Sequence, residues 1–173
     1  MRLLFEIDKK DYDPKGTAFI RPSARAIIIK DKKLAAIYSN KQKCYQIPGG
    51  GIESGETSIE AMIREVKEEV GLEVIRESIQ EFGYVHRIQK GKYEPVFIQD
   101  NYYYLCEVYD TQIPASYSES EKADGLEPVF VSIENAIETN ELYVRENSYD
   151  SMIERELRVM RIVQKEILNN GSY

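Results

Sequence analysis

The sequence contains no tryptophan, a single histidine (His86) and only two cysteines, Cys44 and Cys106, in 173 residues. With no CxxC pair and one imidazole, a zinc site built from Cys and His is nearly excluded. Two lone thiols offer no disulfide framework and fit a reducing compartment, so a cytoplasmic location is expected. No stretch approaches the ~18 continuous apolar residues of a membrane span. The first segment, MRLLFEIDKKDYD, reaches charged residues too soon for a signal peptide. A surplus of Lys and Arg is missing as well, the net charge being −7. Non-specific binding to nucleic acid or anionic membranes rests on cationic contacts to phosphate, so neither partner is expected. A small phosphorylated ligand is compatible with that charge when a cation screens it. Repeats, low-complexity tracts and Gly/Ser linkers are also absent, which predicts one domain over residues 1–173.

The residues that are present, 42% hydrophobic and 31% charged, describe an ordinary globular chain. Residues 1–19 read as irregular, broken by Pro14 and Gly16, with the folded core over about 20–170. Ala24–Lys30 and Leu34–Ser39 are β-like runs joined by a tight turn at Asp31-Lys32. A short strand from Tyr45 leads into the glycine turn Gly49-Gly50-Gly51. Further strands are predicted over Glu81–Ile88, Val96–Tyr109 and Pro128–Val131, with an acidic loop over Tyr117–Leu126. Ser132 starts a short helix, and a C-terminal helix runs over about 150–168 with the stripe Ile153, Leu157, Met160, Val163 and Ile167. Interleaved strands and helices of this kind predict an α/β (α+β) fold, a mixed sheet sandwiched between helices.

The clearest helix spans Thr57–Val70. Thr57 and Glu60 form a capping box, Gly71 is a C-terminal stop, and Ile59, Met62, Ile63, Val66 and Val70 form one apolar face. At about 100° per residue, Glu65, Glu68 and Glu69 fall on one narrow arc beside that face. Taken alone, such a cluster is most simply a solvated acidic face, partly compensated by Arg64 and Lys67. Carboxylates so crowded repel one another, and a hard cation such as Mg²⁺, which prefers oxygen ligands, would relieve the repulsion. Glycines just upstream would let the backbone approach a metal or a phosphate closely.

The wider pattern decides between the two readings. From Gly50 the chain reads GGIESGETSIEAMIREVKEEVGL. This resembles the signature of the Nudix hydrolases: G, five residues, E, seven residues, then R-E-U-x-E-E-x-G-U with U aliphatic. Gly50, Glu56, Arg64, Glu65, Val66, Glu68, Glu69, Gly71 and Leu72 match every fixed position. The resemblance implies the Nudix fold and a loop–helix–loop that binds Mg²⁺, with Mn²⁺ as a substitute. It implies Glu65, Glu68 and Glu69 as metal ligands, one of which orients or deprotonates the attacking water, and a backbone carbonyl at Gly50 as a further ligand. It gives Glu56, Arg64 and Gly71 supporting roles. The family often draws an acid from outside the box, for which Glu127 is the first choice, ahead of Glu119 and Glu121. Where relatives often carry tryptophan before the short helix, this chain has Phe130.

The reaction implied is hydrolysis of a diphosphate bond in a nucleoside diphosphate linked to another moiety. The cation neutralises phosphate charge and lowers the pKa of water, and a carboxylate serves as general base. Substrate contacts are sought at Arg25, Tyr45 and Arg87, each of which has an ordinary structural reading too. Tyr84 and His86 share one strand face and Arg87 takes the other; among Tyr102, Tyr103 and Tyr104 the middle one differs from its neighbours. A homodimer through the C-terminal helix is compatible with the sequence. The alternative to an enzyme is a non-catalytic ligand-sensing or interaction domain of the same fold, although such relatives usually lose box glutamates. Isomerase and decapping relatives are disfavoured by the single histidine and by the acidic charge.

Overall fold

Asp31 and Lys32 both adopt left-handed backbone, with φ of 50° and 60°, and turn the chain through the expected tight hairpin. The computed structural model describes residues 1–168, the side chain of Ser120 excepted. In chain order the strands and helices are β1 (Leu3–Asp8), β2 (Ala18–Ile20), β3 (Ser23–Ile27), β4 (Ile29–Lys30), β5 (Lys33–Ser39), β6 (Cys44–Gln46), β7 (Gly49–Gly51) and α1 (Ser58–Val70). They continue as β8 (Leu72–Val74), β9 (Gln80–Gln89), β10 (Val96–Leu105), β11 (Val108–Gln112), α2 (Glu119–Ala123), β12 (Leu126–Ser132), α3 (Ile133–Glu146) and α4 (Ser151–Val163).

The run Ala24–Lys30 divides at Ile28, and its halves join different sheets. β3 lies in a mixed six-stranded sheet ordered β1-β9-β10-β3-β7, with β2 also on β10. β4 joins an antiparallel sheet ordered β12-β5-β4, in which β6 also pairs with β5. A separate ribbon pairs β11 with β8. Alternation along β3 and β5 then feeds two cores. Ala24, Ala26, Ile28, Ala35 and Ile37 pack with Met62, Val66 and Val70 of α1. Ile27, Leu34 and Ala36 pack on the other side with Ile137 of α3 and with Leu157, Met160 and Val163 of α4. The strands are thus covered by helices on both faces, as the interleaved pattern predicts.

Four local expectations are corrected. Residues 1–19 are not irregular throughout: β1 pairs in parallel with β9, and β2 in parallel with β10. Leu4 and Phe5 pack against the core, and Ile7 is buried. The acidic loop contains α2, where Ser118 and Glu121 form a local cap: Ser118 N–H donates to Glu121 at 2.7 Å and Glu121 N–H donates back to Ser118 Oγ at 3.4 Å. The helix after Ser132 is not short, running 14 residues. Ile59 stays exposed, so the apolar face of α1 begins at Ala61 and Met62.

Candidate metal centre

The helix α1 is held at both ends as its sequence requires. Thr57 Oγ1 accepts from Glu60 N–H at 3.2 Å, and Glu60 Oε2 accepts from Thr57 N–H at 2.8 Å. Gly71 closes it with φ of 65°; any Cβ there would run into the Ile113 carbonyl. Three bonds tie residues 113–117 to this end: Ile113 N–H to the Gly71 carbonyl at 2.8 Å, Ser116 N–H to the Glu68 carbonyl at 2.6 Å, and Tyr117 O–H to the Glu69 carbonyl at 2.6 Å. They satisfy carbonyls the helix leaves open.

With the apolar stripe turned to the sheet, Glu65 and Glu69 face the glycine turn. Glu69 is 9% exposed, and its Oε2 accepts from Gly49 N–H at 2.7 Å. Burial pushes its carboxyl up to about 8; the Gly49 bond and the charge of Arg25 oppose the rise, while Glu65 and Glu121 add to it. Glu65 presses its carboxylate against Gly50, where a Cβ would come within 2.6 Å of Glu65 Cδ. That contact gives Gly50 its physical reason to be glycine. Burial also raises the pKa of Glu65, against the opposing effect of Arg64. Glu68 is half exposed and looks outward.

Arg64 organises these acids. Its Nε and Nη2 grip Glu56 at 2.8 and 3.0 Å, and Nη2 also donates to the Gly51 carbonyl at 3.1 Å. Its Nη1 bridges Glu65 at 2.8 Å and Glu68 at 3.3 Å. Glu56, whose pKa these Arg64 bonds lower, accepts in turn from Glu53 N–H at 2.9 Å. One guanidinium therefore spans the loop, the turn and the helix face.

The fit to a divalent cation follows from this arrangement. Among the described residues no three His, Cys, Asp or Glu already converge as a metal cage. Glu69 leans on an amide, while Glu65 and Glu68 share one nitrogen of Arg64, which occupies a cationic position between them. The donors are all oxygens, two of the carboxylates lie one helical turn apart, and the Gly49–Gly50 backbone is beside them. That donor set suits Mg²⁺ or Mn²⁺. A surface pocket of about 420 Å³ adjoins Glu68 and is lined by Arg64, Lys67, Glu68, Ile113, Pro114 and Ser116.

Other sequence candidates are placed elsewhere. Glu127 is exposed on β12, where its Oε1 accepts from Asn40 Nδ2 at 3.0 Å. The loop acid whose charge reaches Glu69 is Glu121. Tyr45 packs on Tyr38 at a ring separation of 4.9 Å. Arg25 is buried and donates from Nη1 to the Ile47 carbonyl at 2.8 Å, so it is neither exposed nor directed to solvent. Arg87 is buried too: Nη2 donates to Gln99 at 2.6 Å and Nη1 to Ser151 at 3.2 Å. Period two sends both arginines to the face that α4 covers. His86, on the opposite face, pairs with Asp100 at 2.7 Å. Cys44 and Cys106 are free and buried, and burial pushes each thiol up to about 12. Sequence reasoning missed Arg155 and Glu156, both fully buried. The available signal was a charged residue, Glu156, in phase with the apolar stripe at Ile153 and Met160.

The chain resembles known proteins in sequence and in fold. An ADP-ribose pyrophosphatase from Methanocaldococcus jannaschii is 39% identical over 71 residues, 38% of this chain and 41% of that relative. The match therefore spans well under two thirds of that relative's length. A MutT NUDIX hydrolase from Burkholderia pseudomallei superposes with a TM-score of 0.53 at 20% identity, over 67% of this chain and 85% of the other. A NUDIX hydrolase from Nitrosomonas europaea gives 0.54 at 18% identity, over 71% and 79%. These two likenesses concern the fold. Residues 19–152 match the family model described as NUDIX domain, and the chain belongs to that family.

Proposed function

We propose that this protein is a Mg²⁺-dependent hydrolase, with Mn²⁺ as a substitute, that cleaves a diphosphate bond in a nucleoside diphosphate linked to another moiety. The observation that carries the reading is the convergence of buried Glu69 and partly buried Glu65 on the Gly49–Gly50 turn, with Arg64 bridging Glu65 and Glu68. Glu65 and Glu69, with a backbone carbonyl of the turn at Gly50, would hold the ion. When bound, the ion neutralises phosphate charge and lowers the pKa of water. Glu68, half exposed at the rim of the pocket, would take a proton from the attacking water. Arg64 keeps Glu65 and Glu68 in register through Glu56, and Lys67 offers a cation on the pocket wall for a substrate phosphate. Glu121 supports this reading as the outside acid better than Glu127, because its charge acts on Glu69.

ADP-ribose is the first substrate to test, given the named activity of the Methanocaldococcus relative. The acidic balance favours a small phosphorylated molecule over nucleic acid. We further infer one functional domain and, from two free cysteines, a reducing compartment. The test is a panel of nucleoside diphosphate derivatives with Mg²⁺ or Mn²⁺, scored for released phosphate or nucleotide, beside Glu69→Gln. Turnover by the wild type that Glu69→Gln abolishes is expected. Equal turnover by both on every active substrate would overturn the assignment of Glu69. Ligand binding without turnover on any substrate would favour a sensing domain.

A further inference from the structure

The glycine turn is gripped from a second side, by charges that the NUDIX signature does not include. Ile47 lies two residues before Gly49, and both of its backbone polar groups are held by buried ionised side chains. Its N–H donates to Glu156 Oε2 at 3.0 Å, and its carbonyl accepts from Arg25 Nη1 at 2.8 Å. Glu156 is 0% exposed. Its other oxygen pairs with Arg155 Nη2 and faces Arg25 Nε at 3.7 Å. Two residues earlier, Asn140 of α3 accepts from Tyr45 N–H and donates to the Tyr45 carbonyl, both at 2.8 Å. The Pro48 carbonyl accepts from Ala26 N–H at 2.9 Å. Then Gly49 N–H meets Glu69 from the opposite face.

Glu156 answers two buried groups besides Arg155, the Ile47 N–H and Arg25, and both need an acceptor. Its place in the apolar stripe of α4 would suit a methionine or leucine. Replacing a buried ion pair by well-packed apolar residues is often neutral or stabilising, because the pair must overcome the desolvation of both charges. What an apolar residue cannot do is accept a hydrogen bond and fix the register of the chain. The Gly49–Gly50 backbone must be positioned to a precision of about 0.5 Å relative to the Glu65 and Glu69 carboxylates for them to share an ion. Resting on the metal-site reading above, we propose that Glu156, with Arg25, is a positioning residue: it sets the glycine turn at the height at which its backbone and the α1 glutamates act on one cation.

The experiment compares two double variants that keep the same net charge. Arg155→Met with Glu156→Met removes the acceptor for Ile47 N–H, and Arg155→Met with Glu156→Gln retains one. Folding is checked by circular dichroism and melting, Mn²⁺ affinity by electron paramagnetic resonance, and kcat and KM on the best substrate of the panel. Loss of a group that orients metal ligands typically costs roughly 10–100-fold in affinity or activity. The methionine–methionine protein should be folded, with Mn²⁺ affinity and kcat reduced by about that factor and KM nearly unchanged, and the glutamine form should recover most of the loss. Equal Mn²⁺ affinity and kcat in the two folded variants would overturn the proposal. Should the methionine pair not fold, Arg25→Lys carries the same test, because it removes the guanidinium donor to the Ile47 carbonyl: reduced kcat with unchanged KM supports the proposal, and wild-type kcat and Mn²⁺ affinity overturn it. A wild type that binds no Mn²⁺ overturns the metal-site reading itself, a result distinct from equal variants of an active enzyme.

Discussion

Replacing Glu69 by glutamine should make the metal-free protein more stable, and increasingly so as pH rises. Burial pushes the Glu69 carboxyl from 4.5 up to about 8 in the folded protein. Such a group is bound to its proton more tightly in the folded chain than in the unfolded one. Its folded pKa lies above its unfolded value, so the sign is opposite to that of an ion-paired carboxylate. The fold is unburdened by this residue below about pH 4.5 and loses stability as pH climbs towards 8, where the residue must ionise in place. Each tenfold gain in proton affinity corresponds to about 1.4 kcal/mol, so the full cost is of order 3–5 kcal/mol above pH 8. Glutamine keeps an oxygen for Gly49 N–H and carries no charge. For a chain of this size, 1 kcal/mol corresponds to roughly 2–4 °C in melting temperature. Metal-free Glu69→Gln should therefore melt within a few degrees of wild type at pH 5 and about 10 °C above it at pH 8.5.

Adding Mg²⁺ should narrow the difference, and should reverse it only where the ion exceeds its Kd by roughly a thousandfold. The ion binds the ionised carboxylate, raising the wild-type melting temperature at pH 8.5 and leaving Glu69→Gln nearly unmoved. The assay is a set of thermal melts at pH 5, 7 and 8.5, with chelator or with millimolar Mg²⁺, using the difference between the two proteins so that other titrating groups cancel. A melting difference that does not change with pH would refute the claim that burial raises the Glu69 carboxyl to about 8. A Mg²⁺ shift of equal size in both proteins would refute its role as a ligand.

The remaining predictions concern the residues around it. Arg64→Ala, measured in steady-state kinetics and Mn²⁺ titration, should lower metal affinity and kcat by roughly 10–100-fold, and Arg64→Lys should not restore them because the forked grip on Glu56 needs a guanidinium. Gly50→Ala should drive the Glu65 carboxylate out of its seat; circular dichroism should show a folded chain with activity reduced at least about tenfold, and wild-type activity would refute the steric argument. Glu127→Gln should change kcat by no more than about twofold, whereas Glu121→Gln, whose charge acts on Glu69, should alter the pH profile of kcat; the opposite ranking would restore Glu127 as the outside acid.

The extent to which the fold was legible in sequence differs from one element to the next. Helix α1 was readable because its signals are local: Thr57 and Glu60 cap it, Gly71 ends it, and Met62, Val66 and Val70 mark its buried face. The hairpin at Asp31-Lys32 was readable for the same reason. Strands β1 and β2 were not. Each is short, and each exists because a parallel partner far along the chain, Tyr84–Ile88 or Val96–Ile98, offers an open edge. Nor does the run Ala24–Lys30 announce that it changes sheets at Ile28, since alternation says which residues share a face and nothing about which sheet receives them.

The same limit applies at the site. Arg25 and Arg87 stand on strands, where each is open to a substrate contact or to an ordinary structural role. Period two had already separated Arg87 from His86, but only tertiary packing decides which face α4 covers, and it covers the arginines. The acids of the box were legible because they are one helix and its adjoining loop, brought together by 3.6-residue geometry. Glu156 is intermediate between these cases. Its phase, three residues after Ile153 and four before Met160, placed a carboxylate in an apolar stripe, and a buried carboxylate must have a partner. The sequence could therefore demand a partner for Glu156 without naming it. That the partners are Arg155, Arg25 and the amide of Ile47 follows only from α4 crossing the strand that leads into the glycine turn. A charge in the wrong phase of an amphipathic helix thus marks a place where the helix holds something other than the core, and here it holds the turn opposite Glu69.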